Sequence, residues 1–196
     1  MGLWPMSKRW SQSEIVWGIM FRLLIAALFL SGVWCAPVAA QNNEISFSIG
    51  GGSLIGTDES RGARVSTLAY TRYLTERWAV EGSLEFFSVN IPNFGRDGFA
   101  GVQGSVLYHL RPAATDRRFV PYLTVGVGNT TTDFTEIPSE WVIRMGGGFK
   151  YFLGQSQKFG VRVEGRNEII GEDNRIFFPP TRINFPSARV GVVYRF

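Results

Sequence analysis

The stretch Ala188–Phe196, "ARVGVVYRF", ends on an aromatic residue and alternates in character up to its last position. Successive side chains of an extended strand point to opposite faces. Ala188, Val190, Val192, Tyr194 and Phe196 therefore share one face, and Arg189, Gly191, Val193 and Arg195 share the other. Chain ends are ordinarily frayed and polar unless something ties them down. An alternation that persists to the final residue predicts a strand whose two faces meet different surroundings.

The same period of two recurs throughout the residues after 41, where no segment carries a helical apolar stripe. "NEISFSIGG" sets Ile45, Phe47 and Ile49 against Ser46 and Ser48. "RWAVEGSLEFF" sets Trp78, Val80, Gly82, Leu84 and Phe86 against Ala79, Glu81, Ser83 and Glu85. "FAGVQGSVLYHL", "FVPYLTVGVG", "EWVIRMGGGFKYF" and "KFGVRVEGRNEI" repeat the pattern, with Arg144, Lys150, Arg162, Glu164 and Arg166 on the polar faces. "ARVSTLAYTRY" alternates more weakly and leaves its apolar face open. With the terminal stretch these make eight strands.

The intervals between them run roughly 51–63, 75–76, 88–98, 111–118, 129–139, 153–157 and 169–184. Odd intervals are mostly long and even ones mostly short. Consecutive antiparallel strands place odd and even connections at opposite ends, so this segregation predicts a barrel with one elaborated rim. An even strand count also brings both chain ends to one rim, where first and last strands can pair and remove the sheet edges. The expected fold is all-β, an eight-stranded antiparallel up-and-down barrel.

Such a barrel exists in a soluble form, apolar inside, and in an inverted transmembrane form, and alternation alone does not separate them. Three features favour the inverted form. The polar faces carry Glu81, Glu85, Arg144, Lys150, Arg162, Glu164, Arg166, Arg189 and Arg195, which eight strands can enclose as a lumen network because their interior is just wide enough for side chains. Aromatic residues gather near strand ends as two girdles. Tyr73, Trp78, Tyr108, Phe119, Tyr151, Phe159, Tyr194 and Phe196 fall at the short-turn rim, and Phe86, Phe99, Trp141 and Phe185 at the other. The apolar faces are free of charge at mid-strand, where an Arg or Lys in lipid costs about 2–4 kcal/mol.

Several of these stretches resemble the small outer-membrane beta-barrel family of Gram-negative bacteria, the OmpA-like and OmpX-like proteins. "YTRYLTERWAVEGSLEFF", with its tight turn at Thr75–Glu76, is similar to the family's second hairpin. "FVPYLTVGVG" and "FGVRVEGR" resemble the fifth and seventh strands. The alternate residues Val190, Val192, Tyr194 and Phe196 resemble the signal read by the outer-membrane barrel assembly machinery. The resemblance implies a stand-alone, porin-like barrel contacting outer-membrane lipids, with short periplasmic turns, longer outer loops and no cofactor.

Residues 1–40 read as an export signal rather than as part of the fold. "MFRLLIAALFLSGVWCAPVAAQ" has a basic start, an apolar run from Leu23 and small residues near a cut expected after Ala40. Met20 is a tidier start than Met1. Cleavage removes Cys35, the single cysteine, so residues 41–196 form a barrel domain without thiol or disulfide. It also removes Lys8, Arg9, Arg22 and Glu14, leaving 17 basic and 15 acidic side chains and a net charge of +2. These charges are scattered among strands, which excludes nucleic acid as an expected partner. The 45 % hydrophobic content argues against general disorder.

The expected function is non-enzymatic, structural or carried by the outer loops, in a monomer that closes its own edges. The loop between the last two strands holds Ile176, Phe177 and Phe178, an apolar cluster suited to a partner or lipid headgroups, or to covering the rim. A narrow ion leak is a second reading; the lumen cations Arg144, Lys150, Arg162, Arg166, Arg189 and Arg195 outnumber Glu81, Glu85 and Glu164, so it would favour anions. A secreted lipocalin-type lipid-binding barrel is a third, with the orientation reversed. Serine-based catalysis would need His109, the single histidine, but Ser105 lies four residues away, about 13 Å along a strand. One histidine and no mature cysteine assemble no metal cluster.

Overall fold

The computed structural model describes residues 43–55, 61–91, 95–113, 118–132, 140–171 and 182–196. The expected leader 1–40, with Met20 and Cys35, and the loop residues Ile176, Phe177 and Phe178 lie outside the described residues. Eight strands follow in chain order: β1 (Asn43–Leu54), β2 (Arg61–Tyr73), β3 (Trp78–Ile91), β4 (Gly95–His109), β5 (Phe119–Thr132), β6 (Glu140–Leu153), β7 (Phe159–Gly171) and β8 (Arg182–Arg195). Each pairs antiparallel with its sequence neighbours, and β8 returns to β1, closing the barrel.

The terminal stretch builds the seam. Ile45 lies opposite Tyr194, Phe47 opposite Val192 and Ile49 opposite Val190. Backbone N–H groups of Asn43 and Phe196 donate to each other's carbonyls at 3.0 and 2.9 Å, which ties the last residue down. Closure pairs the two strands that would otherwise be open edges, where exposed N–H and C=O groups invite aggregation.

Burial follows the period of two and is inverted relative to a soluble barrel. Phe159, Val192 and Val125 are 64, 61 and 57 % exposed on the outer face, while Arg144, Lys150 and Glu85 are fully enclosed. In β2 the outer face is Leu68 and Tyr70, and Val65, Thr67, Ala69, Thr71 and Tyr73 point inward. Inward glycines make room for long side chains. A Cβ on Gly50 would stand 2.1 Å from the Ala188 carbonyl and 2.8 Å from Arg189 Cγ. On Gly146 it would meet the Gly165 carbonyl at 2.4 Å and Arg166 Cγ at 3.1 Å.

The wall is taller than the alternation indicated. Residues assigned to connections, such as Gly51–Leu54 and Arg61–Ala63, continue the β1–β2 ladder, and Val89–Ile91 pairs with Gly95–Asp97. Backbone pairing does not require amphipathic side chains, so a strand runs on where its apolar stripe has stopped. The contrast between long odd and short even connections is correspondingly weaker: 92–94 is shorter than 110–118.

Candidate functional site

Alternate positions of every strand project into the lumen, and three tiers of side chains fill it. At the rim where Asn43 and Phe196 meet, Tyr73, Ala79, Leu107, Ala113, Val120, Tyr122, Phe152 and Val193 form a buried cluster. Ala113 comes from the connection between β4 and β5; it is buried, and its N–H donates to Glu76 O at 2.7 Å. At the opposite rim Ala63, Val65, Phe87, Val89 and Phe185 form a second apolar cluster, with Phe87 and Phe185 edge to face at 5.7 Å. Charged residues fill the space between these clusters and reach into the first, where Glu44 and Lys150 meet Tyr73 and Arg195 meets Phe152.

Glu44 organises the part of this network nearest the Asn43–Phe196 pairing. Its carboxylate accepts from Tyr73 OH at 2.7 Å, from Arg195 Nε and Nη2 at 3.1 and 3.0 Å, and from Lys150 Nζ. The Arg195 guanidinium lies 3.7 Å above the Phe152 ring, a cation–π contact. At mid-barrel Arg162 bridges Glu81 and Glu164, reaching Glu81 Oε1 at 3.1 Å and Glu164 Oε2 at 2.7 Å. Tyr122 OH donates to Glu164 at 2.7 Å, and Arg166 pairs with the same carboxylate. Higher up, one oxygen of Glu85 takes Arg144 at 3.0 Å, Arg166 at 2.7 Å and Arg189 at 2.7 Å. Arg189 also pairs with Glu168.

All nine charged residues singled out from the sequence are buried here: Glu81, Glu85, Arg144, Lys150, Arg162, Glu164, Arg166, Arg189 and Arg195. Val190, Val192, Tyr194 and Phe196 stand together on the outer face. Sequence reasoning missed Glu44 and Glu168, each at a strand position with inward parity. Their parity was the available signal: both sit inside alternating stretches, "NEISFSIGG" and "KFGVRVEGRNEI", on the same face as the polar residues that were singled out. Including them gives five inward carboxylates (Glu44, Glu81, Glu85, Glu164, Glu168) against six cations among the described residues. The cation excess that pointed to an anion-selective leak shrinks to one. Every one of those cations is engaged by a carboxylate.

Two expected girdle residues belong inside instead. Tyr73 is a lumen hydrogen-bond donor, and Phe185 packs fully buried on Phe87. An aromatic near a strand end serves either face, and strand parity decides which. His109 is also interior: its ring stacks on Tyr73 at 5.0 Å, and its Nδ1–H donates to the Arg77 carbonyl at 3.2 Å. Ser105 Oγ has no hydrogen-bond partner there, and His109 Nε2 likewise has none. Among the described residues no group of three or more His, Cys, Asp or Glu is placed to hold a metal ion.

An apolar exterior on a closed barrel with a salt-bridged interior defines a class: small barrels integral to the outer membrane. Backbone groups in hydrocarbon must be satisfied internally, which only helices and closed barrels achieve. The chain belongs to the outer membrane protein beta-barrel domain family, whose model matches residues 25–196. Its exposed apolar face is the lipid-facing face. No curated protein matches this sequence. Among solved structures, Neisserial surface protein A (NspA) is similar at 13 % identity and a TM-score of 0.57, covering 79 % of this chain and 97 % of that one. Ail of Yersinia pestis, solved with the heparin analogue sucrose octasulfate, aligns at 14 % identity and a TM-score of 0.52, covering 81 % and 100 %. The outer membrane enzyme PagL aligns at 13 % identity and a TM-score of 0.51, covering 76 % and 97 %. At these identities the likeness is one of fold, and a fold does not by itself set function.

Proposed function

We propose that this chain is a non-enzymatic, monomeric outer-membrane barrel whose lumen is closed and whose contacts with its surroundings are made by the connections at the rim away from Asn43 and Phe196. The carrying observation is the packed interior: five carboxylates hold six cations, and an apolar cluster packs toward each rim. Hydrophobic constrictions block ions by excluding water, and charges already neutralised by partners offer little to a passing ion. The Val190, Val192, Tyr194 and Phe196 stripe serves as the signal for the assembly machinery. The Ile176, Phe177 and Phe178 segment is the proposed loop contact.

Catalysis by Ser105 and His109 finds no support in their surroundings. His109 is committed to Tyr73 and the Arg77 carbonyl, and the two residues sit four apart on one strand. The test is conductance in planar bilayers containing the purified protein. Current at the bilayer baseline is expected; steady openings would overturn the sealed-lumen reading. For the loop, replacing residues 172–181 with a Gly/Ser linker should preserve the gel shift between unboiled and boiled protein. It should also lower retention of expressing cells on a hydrophobic resin, and unchanged retention would remove that loop from the proposal.

A further inference from the structure

Three connections close the rim where Asn43 and Phe196 meet, and each hands over to its strand in the same way. Arg77 precedes Trp78 at the start of β3, Arg118 precedes Phe119 at β5, and Lys158 precedes Phe159 at β7. All three cations are exposed. The aromatic residues are exposed on the lipid face at 48, 43 and 64 %. Each ring is backed by a second: Trp78 by Tyr108 at 4.8 Å, Phe119 by Phe149 at 5.3 Å, and Phe159 by Tyr194 at 4.8 Å. Arg77 is further held at this level by donating to Tyr108 OH at 3.2 Å. Exposed Leu74, Leu110 and Leu153 mark the edge of the apolar band beside them. Glu76 is the one acidic side chain among the described residues of these connections, which also include the exposed Arg111.

We infer that this rim is a binding surface for anionic phospholipid headgroups, with a basic–aromatic pair at the start of β3, β5 and β7 each seating one lipid phosphate. Aromatic girdles mark the membrane–water interface. A residue adjoining the girdle lies about 3.3 Å further along the strand, which puts each cation at headgroup depth while its ring stays in the acyl boundary. Strands β3, β5 and β7 are two positions apart in the wall, about 10 Å, so the sites are separate rather than one pocket. Charge complementarity selects the headgroup, since three of the four exposed cations among the described residues of these connections occupy the same register. The inference rests on the reading that this rim, with its tight turns, faces the phospholipid leaflet on the periplasmic side.

The test uses the full protein, extracted from membranes and placed in lipid nanodiscs of phosphatidylglycerol and phosphatidylcholine in equal amounts. Lipids retained after release from the discs are counted by native mass spectrometry. A basic residue near an anionic surface is worth about 1 kcal/mol, so phosphatidylglycerol should be enriched roughly five-fold at each site. R77Q/R118Q/K158Q should retain both lipids alike, and R77K/R118K/K158R should keep the preference. Equal retention by the wild type, or an unaltered preference in the glutamine variant, would overturn the inference. If the glutamine variant lacks the folded gel shift, each single substitution is measured in its place. Both disc leaflets have the same composition, so the outcome is independent of insertion direction; protease access to this rim in intact cells tests that orientation separately.

Discussion

Removing the negative charge of Glu85 should destabilise the barrel far more than its single side chain suggests. Its carboxylate serves Arg144, Arg166 and Arg189 and also accepts from Gln103 Nε2 at 2.8 Å. In Glu85→Gln, Arg166 keeps Glu164 and Arg189 keeps Glu168, but Arg144 is left with a hydrogen bond to Ser83 Oγ at 3.3 Å. Arg144 is fully enclosed. Breaking a buried pair by removing one partner costs about 3–5 kcal/mol, whereas replacing both partners of a buried pair by uncharged side chains of similar volume is often close to neutral. Arg144→Met leaves Glu85 with two guanidinium groups, so no buried charge is stranded and the cost should fall below that range. The double variant should then be more stable than the sum of the singles predicts by at least about 1.5 kcal/mol, within the range of coupling between contacting residues. Reversible urea unfolding in lipid vesicles, followed by the folded and unfolded gel bands, measures all four corners of the cycle. Coupling below about 0.5 kcal/mol, the level of independent sites, would refute a lumen held by Glu85.

Val192→Arg, at the middle of the exposed terminal stripe, should lower stability by about 2–4 kcal/mol in the same assay, and unchanged unfolding would deny that lipid covers this position. Gly146→Ala should cost about 1–3 kcal/mol by overpacking, because its Cβ would meet a backbone carbonyl at 2.4 Å. Gly165→Ala, where a Cβ would have nothing within 4 Å, should stay within about 0.5 kcal/mol of wild type; equal costs at the two sites would mean strand approach does not depend on these glycines. Phe185→Ala should lose about 3–5 kcal/mol as a buried aromatic truncation, read from the urea midpoint, and a shift of only a few tenths would mean the upper apolar tier is not packed.

Strand number, order, closure and inside–outside orientation were all legible from alternation, because one face must suit hydrocarbon and the other a narrow charged lumen. The terminal stripe placed the seam residues Val190 and Val192 on the side they occupy. Strand length was not legible past the membrane band: Gly51–Leu54 carries no apolar stripe, yet it pairs with Arg61–Arg64. Tyr73 and Phe185 were misplaced because a bulky aromatic suits either girdle or lumen. In β2 small residues face inward at Ala63 and Ala69, which blurs the contrast between faces. The network itself was visible only as a set of residues. Which acid meets which base depends on register across strands far apart in sequence, as with Glu44 and Lys150, and no spacing rule within one strand reports it.

Thiol accessibility at two positions on opposite faces of β8 would test directly which face meets lipid. With Cys35 replaced by Ser, single cysteines are placed at Val192, exposed on the outer face, and at Ser187, buried inside. In intact membranes V192C should react with a lipid-soluble maleimide and resist a water-soluble one, S187C should resist both, and both should react in urea. Rapid labelling of V192C by the water-soluble reagent in intact membranes would mean that water, not hydrocarbon, bathes the apolar face.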